Sequence, residues 1–91
     1  MSFYWDIKKN NKIKSERGIS FEDMVIAINN GYILDIIEHP NDEKYSDQKL
    51  YIIKLNNYVY VVPVEVTDSG LLMKTIFRSR KFNKIYNNSE D

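Results

Sequence analysis

The sequence predicts a single α+β domain in which two N-terminal helices pack on a four-stranded antiparallel meander. Three observations predict this class. The chain has 91 residues, a length at which one hydrophobic core is usual. Helix start and stop signals fill its first third, whereas apolar residues follow the two-residue period of strands from Tyr32 onward. The hydrophobic share of 43% is that of a folded protein. We expect only residues 87–91 to form a disordered tail.

The first predicted helix runs from Ile7 to Arg17. Asp6 is suited to cap its N-terminus, and Gly18 is suited to end it in a left-handed conformation. This helix is polar on nearly all sides, so we expect it at the surface. The aromatic residues at 3–5, which precede it, favour a short edge strand.

The second predicted helix carries the clearest local signal. Ser20 and Asp23 have the spacing of a capping box, in which each side chain bonds the other's backbone amide. Ile19 and Met24 are spaced to pack together across that cap. The helix should end at residues 29–31. Four apolar residues repeat along one helical face: Phe21, Met24, Val25 and Ile28.

The rest of the chain reads as strands separated by turns. Asn56-Asn57 is a pair suited to a two-residue type I′ hairpin. Pro63 lies within a predicted strand, where it would remove a ladder hydrogen bond, so we expect either a bulge or an edge position there. The predicted strands are Tyr32–Glu38, Lys49–Leu55, Tyr58–Val66 and Leu71–Phe77.

Composition excludes several classes of protein. The absence of cysteine excludes disulfides and thiolate metal sites. No apolar run approaches the roughly 20 residues that a membrane helix needs. The first residues lack the charged start and apolar core of a signal peptide. These features predict a cytoplasmic protein without contact with a membrane.

The formal net charge is zero, but the charges are segregated along the chain. Residues 1–19 hold five basic and two acidic side chains, and residues 69–86 hold five basic side chains and no acid. Residues 20–68 hold nine acids and three lysines. Local potential attracts a polyanion whatever the total charge. The pattern therefore favours two basic regions for nucleic acid and an acidic region for a basic partner.

Several motifs occur in the order found in a known family. Trp5-Asp6 precedes a basic helix, and Gly18-Ile19-Ser20-Phe21-Glu22-Asp23 follows it. The chain continues through Val61–Val64 and 67–70 to Lys74–Lys81. Taken together these segments resemble the BrnT toxins of bacterial toxin–antitoxin systems, over nearly the whole chain.

The resemblance implies a ribonuclease of the RelE-like fold. It also implies a ribbon-helix-helix antitoxin of the CopG or BrnA kind, in a complex of two toxins and two antitoxins, with operator DNA bound only through the antitoxin. Arg80 matches the family's arginine after the last strand. Asp68 stands where many members have glutamate, and Ser69 stands where they have a functional arginine. Arg78 or Lys74 would replace that charge, or this branch of the family would act differently.

Cleavage of RNA needs an attack by the 2′-hydroxyl on the adjacent phosphate, cations that stabilise the added charge, and groups that transfer protons. Arg80 is the leading candidate for the phosphate, because guanidinium can bind two phosphate oxygens at once. Glu65 is the candidate base, and Tyr86 could donate a proton or stack on a base. The full set of candidates is Arg80, Arg78, Lys74, Glu65 and Tyr86 for catalysis, and Lys81, Lys84, Lys12 and Lys14 for RNA binding.

Other interpretations stay open. The basic C-terminal segment could be a solvated arm or a docking site, and Glu65 could be a surface ion-pair partner. The chain could thus be a non-catalytic module that binds nucleic acid or protein through the same segment. His39 is the only histidine, and its acidic neighbours alone are a weak metal signal. We therefore predict no metal and no cofactor.

Overall fold

The computed structural model describes residues 2–87, and within them three helices and six strands form an α+β fold. The predicted class is therefore confirmed, whereas the predicted number of elements, two helices and four strands, is wrong. The elements are β1 (Phe3–Tyr4), α1 (Ile7–Arg17), α2 (Phe21–Asn29), β2 (Ile33–Glu38), β3 (Gln48–Leu55), β4 (Tyr58–Thr67), β5 (Gly70–Met73), β6 (Phe77–Arg78) and α3 (Arg80–Tyr86).

The sheet has the strand order β1-β5-β4-β3-β2, with β6 paired to β4 beside β5. Strands β2 to β5 form the antiparallel meander that the sequence predicts. The short strand β1 adds in parallel to β5, so the sheet is mixed. The expectation of an edge strand at residues 3–5 is confirmed for Phe3–Tyr4.

Both predicted helix starts are confirmed at their caps. The Asp6 carboxylate accepts hydrogen bonds from the backbone amides of Lys8 and Lys9 at 2.8 and 3.2 Å. Gly18 ends α1 with φ at 71°, a conformation that glycine adopts without a steric penalty. Ser20 and Asp23 form the reciprocal capping box of α2.

The sheet is covered on both faces because the side chains of its central strands alternate between two apolar clusters. One cluster joins the sheet to α1 and α2 and includes the fully buried Phe21, Met24 and Val62. The other cluster joins the opposite face to α3, through Phe82 and Tyr86. Strand β4 is therefore buried on both sides, which explains its nearly continuous apolar sequence.

The last predicted strand, Leu71–Phe77, is interrupted. Strand β5 ends at Met73, and the chain returns to β4 only at Phe77–Arg78, opposite Tyr60 and Val61. Between them, Ile76 is fully buried and its carbonyl oxygen accepts a hydrogen bond from the Arg17 guanidinium. The contact with α1 thus holds the intervening segment away from a regular strand.

Pro63 lies in regular register with Leu50 of β3, so the predicted bulge is wrong for this pairing. Its carbonyl accepts the Lys74 amide at 2.8 Å on the other side of β4. Because the N–H and C=O of one strand residue lie on the same side, the missing N–H faces the gap between β5 and β6. The alternative interpretation, an edge position, is also wrong, because β4 has β3 on one side and β5 and β6 on the other. The register shift that the sheet does contain lies in β2, between Ile33 and Asp35.

Helix α3 was not predicted. Asn87, expected to begin a disordered tail, is the C-cap of this helix, and its side-chain amide donates to the Asn57 carbonyl at 2.9 Å. The remainder of the predicted tail, residues 88–91, lies outside the described residues. No helix within residues 2–87 is long and apolar enough to cross a membrane.

Candidate nucleic-acid interface

Helix α3 presents three of the predicted cations to solvent. Ser79 begins the helix by accepting the Phe82 amide at 3.0 Å, as an N-cap does. Phe82 and Tyr86, one turn apart, turn towards the sheet and anchor the helix. The helix thereby leaves its basic residues exposed: Arg80, Lys81 and Lys84.

Arg78 lies just before this helix but on the other face of the sheet. Its guanidinium stacks over the Tyr58 ring at 4.2 Å from the centroid, a distance typical of a cation–π interaction. Arg78 pairs with Tyr60 across the strands, so both side chains lie on the face that α1 and α2 cover. The chain therefore passes from one face to the other between Arg78 and Arg80.

Lys74 and Glu65 form an ion pair at 3.3 Å between neighbouring strands. Each charge offsets the other, so Lys74 adds little net positive potential and Glu65 is not a free base. Lys74 also lines a cleft of about 240 Å³ with Asp6, Lys9, Leu72 and Met73. No residue of α3 lines that cleft.

The Tyr86 side chain is hydrogen-bonded to the sheet. Its hydroxyl donates to the Asp35 carboxylate of β2 at 2.7 Å. This hydrogen bond, together with partial burial and the nearby negative charge, raises the pKa of Tyr86 above its ordinary value. The phenol therefore keeps its proton more firmly than a solvated tyrosine does.

Lys12 and Lys14 are exposed on α1, on the side of the sheet opposite to α3. Lys14 is one of the smaller causes of the lowered pKa of Glu22, after the hydrogen bond from Asn10. The two basic segments thus lie on different faces of the sheet. The nine candidates are divided among α1, the β4–β5 pair, β6 and α3, and they do not form a single phosphate pocket.

The cations of β6 and α3 nevertheless share one electrostatic property. Two side-chain ion pairs occur within residues 2–87, Lys49 with Glu38 and Lys74 with Glu65. Arg78, Arg80, Lys81 and Lys84 therefore have no carboxylate partner in that part of the chain. Their positive charge is available to a ligand, most fully along the exposed side of α3.

Sequence reasoning missed two contacts that shape this surface. One is the Tyr58 ring beneath Arg78, and the other is the Asp35 carboxylate that binds Tyr86. Neither partner lies near its arginine or tyrosine in the sequence. The helix itself carried a signal, because Ser79 is a good N-cap and Phe82 and Tyr86 have the spacing of one helical face.

His39 lies in the loop between β2 and β3. Its Nδ1 accepts the Asn41 amide at 3.1 Å, and its ring lies 4.4 Å from that of Tyr45. Among residues 2–87, no three histidine or carboxylate side chains are grouped closely enough to hold a metal ion. His39 therefore has local structural partners in its own loop.

Comparison of the chain with models of known protein families found no match. Curated proteins gave no match either, and the fold matched no solved structure.

Proposed function

We propose that the chain is the toxin of a bacterial toxin–antitoxin pair, an endoribonuclease of RelE-like fold that acts on RNA without a metal ion. The observation that carries this proposal is the exposed basic side of α3, whose Arg80, Lys81 and Lys84 have no carboxylate partner within residues 2–87. Such a row of cations fits a phosphodiester backbone, to which cationic side chains bind by releasing counterions.

The order of sequence motifs also supports the proposal. Arg80, which matches the arginine that follows the last strand in BrnT toxins, is the first residue of α3 and is separated from β6 only by Ser79. In this proposal its guanidinium binds the scissile phosphate and stabilises the charge of the transition state. Lys81 and Lys84 bind neighbouring phosphates, whereas Arg78 lies on the other face of the sheet and takes no part in this row.

Proton transfer requires Glu65 and Tyr86 to move to the phosphate bound by Arg80, and two contacts must open first. The Glu65 carboxylate must leave Lys74 before it can accept a proton from the 2′-hydroxyl, and Tyr86 must leave Asp35 before it can donate one. Both pairs are partly exposed to solvent, where a single ion pair or hydrogen bond contributes only about 1 kcal/mol. Binding of a polyanion supplies more free energy than either contact.

The same two contacts favour a second candidate function. A chain whose only candidate base and proton donor are both engaged is suited to bind RNA or protein without cleaving it. Ser69, which replaces the arginine that the resembled family has in its turn, points the same way. In this second function the basic side of α3 holds nucleic acid, and no bond is broken.

Expression of the wild type in bacteria, followed by gel analysis of RNA with the purified protein, separates the two. For the toxin we expect growth arrest and shortened RNA, both reduced at least tenfold by Arg80→Ala. Lys44→Ala, which removes an exposed cation from a loop far in sequence from α3, is the matched control and should behave as wild type. RNA that is retarded but intact would establish the second function. Equal toxicity of wild type and Arg80→Ala would overturn the role of Arg80.

The proposed partner is a ribbon-helix-helix antitoxin that forms a complex of two toxins and two antitoxins. The acidic middle of the chain, residues 20–68, suits a partner with a basic surface. Co-expression with the product of the adjacent gene, followed by light scattering, measures the stoichiometry. A neighbouring gene that encodes no such repressor would contradict this pairing.

A further inference from the structure

A cleft of about 320 Å³ opens between the end of α2 and the hairpin that joins β3 to β4. Its lining combines apolar residues with the polar residues Asn30, Tyr32, Lys54, Asn56 and Asn57. Two of its side chains are large and apolar yet mostly exposed, Ile26 at 58% and Tyr32 at 53%. The lining residues are Ile26, Ala27, Asn30, Tyr32, Lys54, Leu55, Asn56 and Asn57.

The polar side chains of the rim are not used by the fold. The backbone atoms of Asn30, Tyr32 and Lys54 form hydrogen bonds there: the Tyr32 amide donates to Ala27, and the Tyr32 carbonyl accepts from Lys54. Within residues 2–87, however, the Asn30 and Asn56 amide groups, the Tyr32 hydroxyl and the Lys54 ammonium form no side-chain hydrogen bond or ion pair. A lining that combines apolar residues with free donors and acceptors is the usual composition of a small-ligand site.

The charge of the cleft indicates the kind of ligand. Residues 20–68 hold nine acids, yet none of them lines the cleft, and Lys54 is its one charged residue. Carboxylates would repel the phosphates attached to a nucleobase, so a lining without them fits a nucleotide.

We propose that this cleft binds an unpaired nucleobase of single-stranded RNA. The inference rests on the proposed function only in taking RNA as the nucleic acid. Tyr32 offers a ring for stacking, and the asparagine amides can bond the edge of a base, which is how unpaired bases are recognised. The volume lies at the lower end of small-ligand sites, about 300–1,000 Å³, and suits one base rather than a folded segment.

The first test maps binding by NMR on the full chain. Adenosine and uridine monophosphates, and eight-residue oligonucleotides of each base, are titrated against inorganic phosphate as the control. We expect shifts of the amide signals of residues 26–32 and 54–57 with the nucleotides and not with phosphate. Equal shifts with phosphate alone, or shifts confined to other residues, would overturn the proposal.

The second test uses variants that leave the fold intact. Tyr32→Ala removes an exposed ring, and stacking of a base on an aromatic side chain is worth enough that oligonucleotide binding should weaken about tenfold. Asn56→Gly removes an amide while keeping the left-handed backbone that Asn56 adopts at φ 51°. Its binding should weaken by a smaller factor, and Tyr32→Phe should retain most of the wild-type affinity. Unchanged binding in Tyr32→Ala and Asn56→Gly would contradict the proposal.

The two proposals fail in different ways. If Arg80→Ala relieves growth arrest but the cleft variants bind RNA normally, the cleft proposal fails and the function stands. If mononucleotides shift the cleft signals while the chain neither cleaves RNA nor arrests growth, the cleft stands and the toxin proposal fails. If cleft signals respond to the co-expressed partner and to no nucleotide, the cleft is a protein-docking site and the proposal is wrong.

Discussion

Among single residues, Asn10 joins the two N-terminal helices through its buried side-chain amide. Its side-chain oxygen accepts the Phe21 amide at 2.8 Å, and its side-chain nitrogen donates to Glu22 at 2.8 Å. Only 5% of Asn10 is exposed. Phe21 is the first residue of α2, where a backbone N–H lacks a partner inside the helix. Asn10 of α1 therefore supplies the acceptor for an amide that the Ser20–Asp23 capping box leaves unpaired.

Asn10→Ala should lower the free energy of unfolding by about 2 kcal/mol, because it leaves the buried Phe21 N–H without an acceptor. Urea unfolding at neutral pH measures the change. Asn11→Ala, on the exposed side of the same helix, is the control and should change stability by less than about 0.5 kcal/mol. Equal effects of the two substitutions would contradict the role of Asn10.

The hydrogen bond from Asn10 is also the main reason that the pKa of Glu22 is lowered. A lowered pKa in the folded state stabilises the fold above the unfolded pKa, and this contribution is lost as pH falls through the folded value. The difference in stability between wild type and Asn10→Ala should therefore shrink in acid, below about pH 4. A difference that stays constant from pH 7 to pH 3 would show that Glu22 takes no part.

Tyr86 provides a second pH-dependent contact, with the opposite sign. Its pKa is raised by the hydrogen bond to Asp35, so its contribution is complete below the unfolded pKa of about 10 and is lost as pH rises through the folded value. Tyr86→Phe keeps the ring and removes the hydroxyl. Stability of the wild type should exceed that of Tyr86→Phe at pH 8 and converge with it well above pH 10. Asp35→Asn should reduce the same alkaline loss, and an unchanged profile in both variants would refute the contact.

At the scale of elements, α3 shows what a short helix contributes when it covers an otherwise open sheet face. Phe82 and Tyr86 pack on Leu50, Ile52, Val59 and Val61, which are buried although they lie opposite to α1 and α2. Phe82→Ala should therefore lower the unfolding free energy by about 2 kcal/mol, since the side chain is half-buried and fills the space between helix and sheet. Ile85→Ala removes a side chain that is 54% exposed and should cost much less. Similar losses for both would contradict this packing.

At the scale of elements, features whose partners are close in the sequence could be predicted, and features whose partners are distant could not. Caps and the Asn56-Asn57 turn were predictable because their partners lie within a few residues, and both asparagines have the positive φ of a type I′ turn. The break after Met73 was predictable only in part: Pro63, which has no N–H to pair, lies beside it, but the hydrogen bond from Arg17 to the Ile76 carbonyl spans 59 residues. The apolar pattern of Leu71–Phe77 alone reads as one strand.

The candidate site, too, could be predicted from the sequence only where its features are local. Local sequence identified the basic segment after β6, and the structure places its cations at the surface. The local sequence could not reveal that Lys74 pairs with Glu65, because that contact depends on the order of the strands. Nor could it reveal that Tyr86 binds Asp35, because that contact depends on the unpredicted helix α3. The cleft beside Tyr32 was missed for a related reason. Its walls come from α2, β3 and the hairpin, and no motif joins them.

For the whole molecule, the property that governs RNA binding is the separation of basic and acidic residues along a chain whose net charge is zero. Potential is screened within about 8–10 Å at physiological salt, so a ligand at α3 is affected mainly by the cations of α3 and β6. A chain of zero net charge offers no general attraction to RNA. Binding must then depend on the few cations that contact phosphates, and this makes the number of contacts measurable.

Salt dependence supplies that measurement. For single-stranded nucleic acid, the logarithm of the binding constant falls against the logarithm of salt concentration with a slope of about 0.7 per phosphate contact. Replacing Arg80, Lys81 and Lys84 together by glutamine should therefore reduce the magnitude of the slope by about 2. Lys44→Gln, which removes an exposed cation from the loop between β2 and β3, is the control and should leave the slope unchanged. Because the slope counts contacts whether or not RNA is cut, it tests the basic side of α3 as the RNA-binding surface independently of catalysis. An unaltered slope in the α3 variant would show that RNA binds at another surface. Helix α1, with Lys12 and Lys14, would then be tested by the same measurement.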